Sequence, residues 1–152
     1  MVGLDINVKN QYSNYLEKIF QSINLSIYDW EVITDDILVR ENGKIKEGLF
    51  NSHFLNGNNL NEAISKESYY MIFVDLKAYP LNTKRKNIQT YKDFVESECR
   101  LIFLCTDSTF IEVYCKDSKT LAKIYDNCIN YSFESVMYVS VEQAKTRSMI
   151  AF

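Results

Sequence analysis

Apolar positions along this chain switch between two periods, and the switches mark out its elements. Tyr12, Tyr15, Leu16, Ile19, Phe20 and Ile23 follow the spacing of one helical face, with Asn14, Glu17, Lys18 and Gln21 on the other. A second stripe, Leu121, Ile124, Tyr125, Cys128 and Ile129, predicts another amphipathic helix, capped by Asp117 or Ser118. Shorter apolar runs predict strands at 3–8, 29–34, 37–41, 45–50, 69–75, 100–106, 109–115 and 133–139. Asp35-Asp36, Asn42-Gly43 and Asp107-Ser108 read as the turns of hairpins. Thr90 with Asp93, and Ser140 with Gln143, have capping-box spacing and start helices at 91–97 and 141–148; Asn59 with Glu62 marks a shorter one at 60–66.

This order makes the chain α/β in the α+β sense, a mixed β-sheet with antiparallel hairpins, packed by about five helices. The strand–helix–strand units 69–106 and 109–139 suit two right-handed parallel crossovers. At 152 residues, with no linker, repeat or low-complexity tract, residues 1–152 read as a single domain. Four glycines and one proline point to regular structure with short connections.

Composition narrows the chemistry. Cys99, Cys105, Cys115 and Cys128 never approach a C-x-x-C spacing, so they read as reduced, buried thiols rather than a zinc or redox site. The first residues are too polar for a secretory signal, and no apolar run approaches the roughly 20 residues that span a bilayer. A soluble, cytoplasmic protein without membrane contact is expected. His53 is the single histidine, so no histidine pair can hold a metal. There is no P-loop, G-x-G-x-x-G or G-x-S-x-G. Neither a cofactor nor a metal is therefore expected. The net charge is −3, and residues 1–76 hold 11 acidic against 6 basic side chains. One basic tripeptide, Lys84-Arg85-Lys86, in a net-acidic chain gives no reason to expect nucleic acid.

Two stretches carry candidate function. Residues 69–80, YYMIFVDLKAYP, run from an apolar strand into Asp75 and Lys77. The segment resembles the strand-end motif of haloacid-dehalogenase-type phosphatases, in which two aspartates flank one residue. Here Lys77 stands where that family has its proton donor, and Ala78 and Tyr79 replace the Gly and Thr that follow. The alternative is a strand-end crevice in which Asp75, Lys77 and Tyr79 bind a ligand beside the basic loop, or a carboxylate that only caps its own turn.

The other stretch is acidic. Asp29, Glu31, Asp35, Asp36 and Glu41 lie within thirteen residues, opposed by Arg40 alone, with Trp30 among them. An aromatic anchor in an acidic rim suits a basic protein partner. Period-2 alternation also allows Trp30 to face the core while the acids face water.

YLEKIF at 15–20, YDW at 28–30, IFVDLKAYP at 72–80 and YCKDSKTLAKIYDN at 114–127 together resemble a family of small bacterial proteins catalogued as a domain of unknown function. The resemblance implies a small cytosolic α/β protein without an assigned activity. The sequence therefore favours a non-enzymatic protein-binding module, in its most concrete form an immunity protein neutralising a basic bacterial toxin such as a nuclease. The alternatives are a small enzyme or ligand-binding regulator built around Asp75 and Lys77, and a structural or assembly protein.

Overall fold

The computed structural model describes residues 1–151. Eight strands form one sheet: β1 (Gly3–Asn7), β2 (Tyr28–Glu41), β3 (Lys44–Glu47), β4 (Phe54–Asn56), β5 (Tyr69–Pro80), β6 (Leu101–Thr106), β7 (Phe110–Cys115) and β8 (Ser135–Val139). Their order is β3-β2-β5-β6-β7-β1-β8, and β4 adds to β2. Five α-helices accompany them among the described residues: α1 (Tyr15–Ile19), α2 (Gly57–Ile64), α3 (Tyr91–Glu96), α4 (Ser118–Asn130) and α5 (Val141–Ala144). The protein is thus α+β, with an antiparallel sheet at its centre.

Local signals produced much of this. Thr90 and Asp93 close a reciprocal capping box on α3, Ser140 and Gln143 do so on α5, and Asp117 accepts from Lys119 N–H at the start of α4. Asn42 and Gly43 both take positive φ, 51° and 74°, as a type I′ hairpin turn requires.

The two parallel crossovers are not there. β5 and β6 pair antiparallel, from Val74 opposite Cys105 to Ala78 opposite Leu101. β7 and β8 are not neighbours, because β1 lies between them and pairs antiparallel with both. The N-terminal strand fills a gap that no local pattern announces.

The hairpin expected at Asp35-Asp36 is also absent. Residues 28–41 form one continuous strand of 14 residues, with register shifts between Val32 and Thr34 and between Asp36 and Ile37. A bulge re-phases a strand without turning it, so two acidic residues that look like a turn stay inside the ladder. α1 is likewise shorter than its stripe. Ser22 takes a positive φ of 63° beyond its end, while Tyr12 packs against Tyr70 at 5.4 Å between ring centroids.

The sheet buries both faces. On the first, Leu4, Ile6, Trp30, Leu76, Phe103 and Val113 meet Leu16 and Ile19 of α1, Leu60 of α2, and Leu121 and Ile124 of α4. On the second, a smaller cluster forms from Tyr79, Ile102, Leu104 and Tyr114 under Ile88, Phe94, Ala144, Met149 and Ala151. After α5 the chain runs back as a strap beneath the 81–90 loop. Ser148 forms a bridge with Thr90, and Met149 N–H donates to Gln89 O at 2.9 Å.

Candidate functional site

Alternation along β5 sends Val74, Leu76 and Ala78 into the first core, and Asp75, Lys77 and Tyr79 to the second face. β5 continues to Pro80, so Asp75 lies inside the strand rather than at its exit. Asp75, Lys77 and Tyr79 are all 0% exposed. Lys77 Nζ donates to Asp75 Oδ1 at 2.6 Å and to Met149 O at 2.8 Å. Ala151 N–H donates to Asp75 Oδ2 at 3.3 Å.

Both carboxylate oxygens are therefore engaged, one by an ammonium and one by the strap's backbone. Burial pushes the Asp75 carboxyl above the usual carboxylate range, while the Lys77 ammonium and the Ala151 N–H pull the other way. Tyr79 takes no part in the pair. Its hydroxyl donates to Lys86 O at 3.2 Å, and burial pushes it up to about 12. The basic loop does not join Asp75 either, because the Arg85 guanidinium sits over the Phe54 ring, 4.0 Å from its centroid. A ligand would reach Asp75 and Lys77 only after Met149–Ala151 had left the sheet. The arrangement binds the chain's own backbone.

A second polar cluster on this face went unnoticed in the sequence. Arg147 grips Asp5 through Nη1 at 2.7 Å and Nη2 at 2.9 Å, and reaches Glu112 at 3.4 Å and the Tyr114 hydroxyl at 3.3 Å. The Tyr114 hydroxyl donates to Glu112 at 2.6 Å. The hydrogen bond to Asp5 holds the Arg147 guanidinium above its ordinary pKa. Asp5 and Arg147 are 142 residues apart, and the strap that joins them has no periodic signature. Arg147 pins the strap at one point, and Asp75 with Lys77 pins it at another.

The acidic stretch is redistributed by the bulge around Ile33. Asp29 lies opposite Tyr79, Glu31 opposite Lys77, Thr34 opposite Asp75 and Asp36 opposite Phe73, all on the second face. Without the extra residue, alternation would have turned Asp36 inward. Asp29 accepts from Asn82 N–H at 3.1 Å, Glu31 is half-buried, and Asp36 is exposed. Burial pushes the Glu31 carboxyl up, against the pull of Arg85 and Lys77.

The remaining members separate from this row. Asp35 is turned to the 48–50 loop, where its carboxylate accepts from Leu49 N–H at 2.9 Å and Phe50 N–H at 2.9 Å. Glu41 pairs with Lys66 at 2.9 Å. Trp30 is on the opposite face and 0% exposed, with its Nε1–H donating to Leu25 O at 3.2 Å. The aromatic and the acids do not share a surface.

Other candidates for chemistry are occupied. His53 Nδ1 donates to Val32 O at 3.1 Å. All four cysteines are buried and unpaired by disulfides; burial pushes their thiols up, to about 12 for Cys99, Cys105 and Cys128 and about 11 for Cys115. Such thiols are not nucleophiles near neutral pH. Among the described residues, no three His, Cys, Asp or Glu side chains are grouped to hold a metal, and no helix is long and apolar enough to cross a membrane. The open depressions of the surface are lined elsewhere, one by Asn7, Lys9, Thr109 and Glu134, another by Tyr28, Pro80, Arg100 and Lys116.

A protein of Bacillus subtilis (strain 168), "Uncharacterized protein YncE", is 29% identical over 148 residues, covering 97% of each chain. No solved structure matches. The family described as "Protein of unknown function (DUF2691)" matches residues 1–150, and the chain belongs to it.

Proposed function

We propose that this protein is a non-enzymatic binding module that captures a basic protein partner through the carboxylates of β2, in the manner of an immunity protein neutralising a toxin. The observation that carries this reading is the bulge around Ile33, which brings Asp29, Glu31 and Asp36 onto one face. Ile33, the unpaired residue of the bulge, is itself 42% exposed. A row of like charges raises the encounter rate with an oppositely charged protein and rejects acidic ones. Trp30 has no part in the surface. Asp36 is its most accessible charge.

The test is co-expression with the product of the neighbouring reading frame, which this reading expects to carry a basic toxic domain. The wild-type protein restores growth, and the purified pair associates rapidly. Asp36→Lys slows association about tenfold at low ionic strength, and the difference narrows as salt screens the charge. Absence of a complex, or an association rate indifferent to Asp36→Lys, overturns the reading.

A further inference from the structure

The two edges of the sheet are built differently. On the β2 side, β3 carries Lys44, Lys46 and Glu47, and β4 covers Asp29–Glu31. The loop between β3 and β4 closes the gap, with Gly48 N–H donating to Ile37 O at 2.7 Å and Val32 N–H to His53 O at 2.8 Å. Charged, short and covered edges of this kind resist strand addition. β8, at five residues one longer than β3, lacks the charge and the cover. Its sequence, SVMYV, contains no charge and no proline, and among the described residues it pairs only on its β1 side.

The register says which of its backbone groups are open. Cys115 N–H donates to Val2 O and Val8 N–H to Thr109 O, so the even-numbered residues of β1 bond to β7. Gly3, Asp5 and Asn7 therefore bond to β8, at Val139, Met137 and Ser135. Val136 and Tyr138 are left with N–H and C=O directed outward. These two residues are symmetric about Met137.

We propose that β8 is a self-association edge, where a second copy of this chain adds antiparallel about a two-fold axis through Met137. Val136 of one copy then faces Tyr138 of the other, each pair exchanging both hydrogen bonds, and the sheet runs on through the dimer. The charges permit it: Ser135 meets Val139 and Glu134 meets Ser140, so no like charges face each other. Side chains support it on both faces. Met137 is 64% exposed and meets its own copy at the axis. On the other face Tyr138 stacks on Tyr125 of α4 at 4.7 Å, and Ile129, one turn further along α4, is 50% exposed. An isologous contact of this kind is closed by its own symmetry and stops at two chains.

The test is sedimentation of the full chain with charge-swap variants. The wild-type protein at about 100 µM sediments at twice the 17.8 kDa chain mass. Met137→Lys and Met137→Glu each place like charges together at the axis, raising the dissociation constant about a hundredfold or more. Their circular dichroism stays close to wild type, and so does their melting at concentrations too low for the wild type to associate, because Met137 is exposed in the single chain. Mixing the two variants restores the two-chain species. A wild-type single-chain mass overturns the proposal and leaves the edge to a strand of another protein. So does a two-chain mass that survives in both variants, or one that mixing does not restore.

Discussion

Lys77→Met lowers folding stability by about 3–5 kcal/mol, the largest loss expected from any polar substitution in this protein. The replacement fills similar space but leaves the Asp75 carboxylate in a site that is 0% exposed, without the ammonium 2.6 Å away. It also leaves Met149 O without its donor. The cost is that of stranding a charge, not the net worth of the pair, so the double substitution Asp75→Asn with Lys77→Met recovers most of it. In a chain of 152 residues the single substitution lowers the melting temperature by roughly 6–20 °C. Urea titration of the three proteins checks the claim. A Lys77→Met protein within about 1 kcal/mol of wild type would mean that Asp75 is relieved by water or by taking up a proton, and that its charge is not stranded.

Trp30→Ala is expected to cost about 3–5 kcal/mol, and this separates a core tryptophan from an interface anchor. Trp30 packs edge-on to Phe20 at 5.7 Å and to Tyr28 at 5.9 Å between ring centroids, and its indole N–H holds Leu25 O. Truncation opens a cavity in the larger core and removes one of two donors to Leu25 O, the other being Tyr28 N–H. An interface anchor would instead lose affinity and keep its stability. Denaturation monitored by circular dichroism reads the difference, since Trp30 is the only tryptophan and its fluorescence disappears with the substitution. An unchanged midpoint would place Trp30 outside the core.

The sequence was most informative where the physics is local. Asp117 and the α4 stripe, the Asn42-Gly43 turn, the Asp107-Ser108 hairpin and both capping boxes are written in neighbouring residues, and the structure carries each of them, with Ile129 of the stripe left exposed. Strand direction is not local. Nothing between Phe110 and Val139 says that Gly3–Asn7 will insert between β7 and β8. The Asp35-Asp36 pair misled because its residue types suit a turn, while the extra residues of the two register shifts are Ile33 and Ile72, and only the 11 paired positions between β2 and β5 reveal one continuous strand. The suspicion raised by YYMIFVDLKAYP had a physical basis, since its aspartate and lysine are buried and paired. Their partners, Met149 and Ala151, lie more than 70 residues away in a strap without hydrophobic period.

A buried carboxylate beside an ammonium is the usual mark of an active site. Here it acts as a clasp that holds the C-terminal strap to the sheet. Native-state hydrogen exchange at the Met149 and Ala151 amides tests this most directly, because Met149 N–H bonds to Gln89 O and Ala151 N–H to Asp75. If the clasp is real, both amides exchange slowly in the wild-type protein, and both speed up together in Lys77→Met while the β6 and β7 amides stay slower. Rapid exchange at Ala151 and Met149 in the wild-type protein would contradict it, and would return Asp75 and Lys77 to the list of groups open to a ligand.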